Sequence, residues 1–301
     1  APVVTAQDLR TAASRDQIHV ADRDAACGAR RRQMTEESRF TIGIEIGGLA
    51  IAVRTIDADF AAIVEGRYAN FRSDPDRAQA QLDVTIVPPE TLAREGVTEL
   101  EVRLAAGRWI IRRDDFRAEW DPDSRRGVVT QSANPYSIDS VIRIVHSLIL
   151  ADRGGFLLHS ASAIRNDRAF LLSGLSGAGK TTISRLAPPD AIRLSDEVSY
   201  VRCINDRHIA FGTPFAGELA VSGENAAAPI AALYFLVQGA ENRVHPMTAA
   251  VAVRKLLRNI LFFADGEPAA RVFKSACDFV AAVPAYELTF KPEPAVWKLV
   301  A

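Results

Sequence analysis

The chain has 301 residues, 48% of them hydrophobic and 24% charged, with a formal net charge of −1. That composition can bury a sizeable core in one large or two small domains, and its charge balance argues against the broad electropositive surface that non-specific nucleic-acid binding needs. No apolar run approaches the ~18 residues of a membrane span, the start "APVVTAQDLR" lacks the basic-then-apolar pattern of a signal peptide, and Cys27, Cys203 and Cys277 share no C-x-x-C spacing, so a reduced, cytoplasmic protein without disulfides or a thiolate zinc site is expected.

Residues 1–38 are rich in alanine, arginine and aspartate and show no sustained apolar period, which predicts a mobile arm. The run Arg30-Arg31-Arg32 is nearly balanced by Asp22, Asp24, Glu36 and Glu37, so it reads as a solvated charge run. From Phe40 the pattern turns to short alternating strands, "FTIGIEIGG", "AIAVRTI", "QLDVTIV", "TELEVRL", "RWIIRR", "FRAEWD" and "GVVTQS", with one short helix over "DFAAIVEGRYANF". This stretch holds no His and no Cys. It reads as a β-rich α+β scaffold or recognition domain over 39–134. "SIDSVIRIVHSLILADRGG" follows as an amphipathic helix, with Ser137 as its predicted cap and His146 beside its apolar stripe.

The second domain, 135–301, continues with "FLLHSASAIRNDRAFLLSG", two apolar runs around an "RNDR" turn. A hairpin that leads straight into a glycine loop implies an α/β domain with a mixed sheet rather than an all-parallel one. Further on, "SYVRCI" and "HIAFGT" read as a strand pair, "IAALYFLV" as a buried strand, "MTAAVAVRKLLRNILFFA" as one long helix, "VFKSACDFVAAV" as another and "AYELTF" as a last strand.

The chemistry concentrates in "GLSGAGKTT", residues 174–182, which has the form G-x-x-x-x-G-K-T. Such a loop turns several backbone N–H groups inward toward an anion. Gly174, Leu175, Ser176, Gly177, Ala178 and Gly179 would cradle phosphate, Lys180 would reach the β- and γ-phosphates, Thr181 would offer its hydroxyl to magnesium and Thr182 would touch the α-phosphate. The chain holds 31 arginines but only five lysines, and the first lysine is the one in this loop. A compact ammonium fits where a planar guanidinium does not. Asp196 and Glu197, in "RLSDE", follow closely enough that a strand beside the loop strand would deliver both carboxylates to the metal and γ-phosphate, one as metal ligand and one to orient or deprotonate the acceptor. The spacing leaves open which does which, and Glu197 reads equally well as a solvent-facing residue. His159, on the first strand of the hairpin, is either a structural histidine or a contact for phosphate, metal or acceptor.

"HSASAIRNDRAFLLSGLSGAGKTT…RLSDE" resembles the catalytic domain of HPr kinase/phosphorylase, and "GLSGAGKTTIS" is similar to the nucleotide loop of ATP-dependent phosphoenolpyruvate carboxykinase, whose fold that kinase shares. "GTPFAGELA", "LLRNILFFAD" and "VPAYELTF" are similar to HPr-kinase-related proteins found with peptide-modification and exopolysaccharide gene clusters. The resemblance covers about 137–300. It implies a P-loop kinase domain of phosphoenolpyruvate carboxykinase-like fold, ATP and Mg2+ as cofactors, and transfer to a serine hydroxyl of a peptide or protein. It also implies Asp196 or Glu197 as the acid that activates the hydroxyl. The family's Asp-Asp pair is Asp196-Glu197 here, and residues 39–134 do not resemble the family's usual first domain. Carboxykinase chemistry is disfavoured, because no lysine precedes Lys180. A nucleotide-binding regulatory protein without turnover and a kinase of a free small molecule such as serine are the alternatives, and a homo-oligomer is compatible with the sequence.

Overall fold

The computed structural model describes residues 40–93, 99–217, 219, 221–261 and 266–300; the arm expected over 1–38 lies outside them. The alternating stretches from Phe40 onward form an eight-stranded sheet in the order β3-β1-β2-β4-β8-β7-β6-β5. Its strands are β1 (Phe40–Ile46), β2 (Leu49–Thr55), β3 (Arg72–Ser73), β4 (Ala80–Ile86), β5 (Glu101–Ala105), β6 (Arg108–Arg113), β7 (Phe116–Asp121) and β8 (Arg126–Gln131). Every strand expected in this stretch is present. The pairing partners are less regular than a meander: β2 runs parallel to β4, and β4 parallel to β8. The first of these crossovers carries helix α1 (Ala58–Arg67), whose N-cap Asp57 accepts the amide of Phe60.

A short helix α2 (Pro89–Ala93) precedes the second hairpin pair, and helix α3 (Pro135–Ala151) follows the sheet. The expected cap at Ser137 is displaced. Asn134 caps the helix by accepting the Tyr136 amide, Pro135 occupies the first turn, and the Ser137 hydroxyl donates to Asp115 instead. Proline needs no amide partner there and is set for helical φ, so the Asn-Pro pair outcompetes a serine three residues on. The apolar face of α3, from Ile138 to Leu150, packs into the same core as Ile44, Val53, Phe60, Trp109 and Trp120 of the first sheet, together with Tyr200 and Phe215 from further along. A buried ion pair fastens it: Asp139 of α3 accepts from Arg67 and from the Tyr68 hydroxyl at the end of α1.

The second sheet has nine strands: β9 (Gly155–Arg165), β10 (Arg168–Ser173), β11 (Ile192–Ser195), β12 (Val198–Ile204), β13 (Arg207–Phe211), β14 (Ala227–Gln238), β15 (Arg243–Pro246), β16 (Ile260–Leu261) and β17 (Ala285–Phe290). It is mixed, as the hairpin requires: β10 is antiparallel to β9 and parallel to β14, which is parallel to β17. The β9–β10 turn places Asn166 and Asp167 at φ 50° and 58°, the left-handed pair that two-residue hairpins favour.

Helices α4 (Lys180–Arg185), α5 (Ala249–Leu257), α6 (Gly266–Ala282) and α7 (Trp297–Val300) cover this sheet. The long helix expected over 247–264 is broken. Among its described residues only 249–257 is helical, and Ile260 and Leu261 pair with Leu158 and Leu157 of β9. β-Branched and apolar residues at that point gain more from joining a buried strand than from another helical turn, a tertiary override of a periodic pattern. No helix among the described residues is long and apolar enough to cross a membrane.

Candidate functional site

The glycine loop, 174–179, joins the end of β10 to the start of α4. Gly177 and Gly179 lie at φ 79° and 103°, a backbone region that disfavours side chains. A Cβ on Gly179 would also meet the Phe290 ring at 2.6 Å, so this position is glycine for two independent reasons. The loop is braced from outside by Gln238, whose Nε2 donates to the Gly177 carbonyl at 2.6 Å. The Lys180 ammonium is buried against the loop and donates to the carbonyls of Gly174 (2.9 Å) and Leu175 (3.3 Å). Leu175 itself points outward, while Ala178 packs into the core below.

The acids arrive by a different route from the expected one. β11 does not lie beside the loop strand; it pairs with β9, which separates it from β10. Both β11 and β12 are antiparallel to β9, and the ladder shifts register between Arg193 and Ser195 before resuming at Val198 opposite His159. Asp196 and Glu197 occupy this irregular step, where the Ser195 hydroxyl accepts the amides of Glu197 and Val198. An interrupted ladder re-aims side chains that regular pleating would send to opposite faces.

Asp196 is buried, 4% exposed, and its two carboxylate oxygens each accept a backbone amide at 3.1 Å, from Gly217 and from Leu219. The segment around Gly217 can come this close only without a side chain: a Cβ there would lie 3.0 Å from Asp196 Oδ2 and 2.9 Å from the Glu197 Cβ. Glu197 is neither free nor fully in solvent. Arg143 of α3 donates to both of its oxygens at 3.2 Å, and the guanidinium lies over the Phe215 ring at 4.7 Å. His159 is anchored through its backbone to Asn259 and Ser173. Burial, followed by the nearby Lys180 ammonium, holds its imidazole below the ordinary histidine range, with Glu197 acting in the other direction. A neutral ring at pH 7 results.

These elements enclose a cavity of about 540 Å3. His159, Ser176, Gly177, Gly179, Lys180, Thr181, Thr182, Asp196 and Glu197 all line it, whereas Gly174, Leu175 and Ala178 shape the loop behind it. Three contributors escaped the sequence reading: Arg143, Gly217 and Gln238. Gly217 stands in "GTPFAGELA", already noted for its resemblance, so a glycine beside a buried acid was the available signal. Arg143 carried none, because it sits off the apolar stripe of an amphipathic helix, 54 residues from the acid it meets.

A family model described as SynChlorMet cassette protein ScmC matches residues 129–300, more than half of the chain. The chain belongs to the ScmC family. The ScmC match takes in the whole cavity, from His159 to Gln238, together with Arg143, and starts within β8 of the first sheet. Comparison with curated proteins finds no match. Among solved structures, the HPr(Ser) kinase/phosphatase from Coxiella burnetii is similar at 10% identity, covering 48% of this chain and 87% of that one with a TM-score of 0.29. That superposition is too loose to bear on activity; what this ScmC member does has to be read from its own residues.

Proposed function

We propose that the chain is an ATP- and magnesium-dependent phosphotransferase that moves the γ-phosphoryl group onto a hydroxyl, that of a serine in a peptide or protein. The observation that supports this is the meeting of the glycine loop, Lys180, Thr181, Asp196 and His159 around one cavity of about 540 Å3. Phosphoryl transfer asks a protein for little covalent chemistry and much positioning and charge compensation. A lysine and a loop of amides on one side, with a carboxylate and a neutral imidazole on the other, are suited to that division.

The donor set fits magnesium only together with a nucleotide. Among the described residues no group of three or more His, Cys, Asp or Glu could hold a metal by itself. Magnesium, however, is ordinarily held by one or two carboxylates, phosphate oxygens and water. Thr181 and Asp196 would hold it, and it would supply neutralisation of the charge on the phosphate oxygens. Glu197, expected as a third ligand, has its charge matched by the Arg143 guanidinium, which donates to both of its oxygens, so in this reading it positions the acceptor side of the site.

A carboxylate has about four acceptor positions, and two of those on Asp196 are taken by Gly217 and Leu219. The remainder can take the hydroxyl proton. In the step itself the serine Oγ bonds to the γ-phosphorus, the bond from that phosphorus to the β,γ-bridging oxygen breaks, and ADP leaves with that electron pair. Lys180 stays close to the phosphates and compensates their charge. The test is incubation with γ-labelled ATP, magnesium and a mixed peptide pool. Label on serine is the expected result; magnesium-dependent ATP binding with no transferred label would replace the kinase by a nucleotide-binding regulator.

A further inference from the structure

A second cavity, of about 340 Å3, adjoins the first and shares His159 and Glu197 with it. Its volume is at the lower end of the ~300–1,000 Å3 usual for ligand sites. Its walls differ from those of the phosphate cavity. Leu100, Ile144, Val198, Ile260 and Leu261 make it largely apolar, and Leu100 and Leu261 are exposed at its mouth. Two large apolar side chains held at a mouth in this way mark a contact surface better than scattered exposed residues do.

One charge at this cavity has no partner among the described residues. Glu197 is matched by Arg143, but Arg258, which follows α5 and lines the cavity, is exposed and has no ion pair or hydrogen bond among the described residues. The cavity also borders β16, which pairs with β9 on one side and with no other strand among the described residues. An unpaired strand edge next to apolar pockets is the arrangement by which extended peptides are held, main chain on the edge and alternate side chains in the pockets.

Resting on the kinase reading above, we propose that this cavity is the acceptor subsite and that it takes an extended peptide segment whose hydroxyl residue is flanked by a leucine-sized apolar side chain and a carboxylate. The hydroxyl reaches the phosphate cavity past His159 and Glu197, the apolar side chain lies between Ile144 and Leu261, and the carboxylate meets Arg258. Free serine has neither flank and gains nothing from this surface.

The test uses the full chain and fluorescein-labelled nine-residue peptides with a central serine, leucine on one side and either glutamate or lysine on the other, in both orders. Anisotropy is expected to show the glutamate peptide binding about tenfold tighter than the lysine peptide, and Arg258→Glu to reverse that order, since attraction becomes like-charge repulsion. Arg258→Gln is expected to bring the two together. The same samples with γ-labelled ATP and magnesium report transfer. Charge-dependent binding without transfer upholds the subsite and overturns the kinase reading. Transfer or binding indifferent to flanking charge in both wild type and Arg258→Glu overturns the subsite while leaving the kinase reading in place; absence of peptide binding and of transfer, or transfer to free serine alone, also overturns the subsite.

Discussion

The two sheets treat charge in opposite ways. In the first, ionisable side chains find side-chain partners, whether near water or not: Arg112 and Arg103 share Glu101, Arg113 holds Asp115, and even the buried Asp83 is met by Gln81 and Arg54. In the second, Lys180 and Asp196 are buried to 8% and 4% exposure around a cavity, and each is held largely by backbone groups. Burying a charge is expensive unless it is paired and hydrogen-bonded. A fold that bears this cost at a cavity wall has kept those charges for something other than cohesion.

The comparison can be broken most directly at Asp196. Asp196→Asn keeps the shape and removes the proton acceptor, so labelled transfer is expected to fall by at least about 10²-fold while ATP binding by calorimetry without magnesium, which rests on the loop and Lys180, stays within a few-fold; Lys180→Ala should lose both. Retained transfer in Asp196→Asn ends the role given to that acid. The converse change belongs to the structural side. Asp139→Ala strands the Arg67 guanidinium in its part-buried seat and is expected to cost about 3 kcal/mol in urea unfolding, the low end for a broken buried pair because Arg67 keeps some solvent contact.

Acid sharpens the contrast. His146 is fully buried with Nδ1 against the Tyr200 hydroxyl, and burial pushes its pKa from the usual 6.5 to about 3. The unfolded chain therefore takes up a proton below pH 6.5 that the native state refuses. Stability is fully present above that pH and is lost as the pH falls toward 3, at about 1.4 kcal/mol per pH unit. Urea midpoints measured between pH 7 and 5 should show a shallower decline in His146→Gln; an unchanged slope would assign the acid sensitivity elsewhere. The smallest effect is expected at Gly217. Gly217→Ala presses a methyl on Asp196 and should lower kcat for transfer about tenfold, as small misplacements of a reacting group do, with little change in thermal midpoint.

Much of this architecture can be read from alternation and turns, because those signals are local. "RWIIRR" buries alternate residues as β6, with Trp109 and Ile111 inward, and the Asn166-Asp167 pair announces its own hairpin. The residues around the glycine-loop cavity are equally local, since the loop and the Asp196-Glu197 pair are short motifs. What sequence could not convey is which strands meet. Nothing in "QLDVTIV" says that β4 runs parallel to both β2 and β8, nor does "RLSDE" reveal that β9 stands between the acids and the loop strand. Arg143 is the sharpest case: 54 residues separate it from Glu197, and only the seating of α3 brings the pair together.

That seating has a practical consequence for anyone who would dissect the molecule. β8, where the family match begins, lies in the middle of the eight-stranded sheet between β4 and β7, and α3 leans its isoleucines on that same layer. Expressing residues 129–300 alone would bare a greasy flank of α3 and strip Asp139 of its Arg67 and Tyr68 partners. A minimal fragment that keeps the cavity intact therefore has to be sought by trimming ends, not by cutting at the motif boundary.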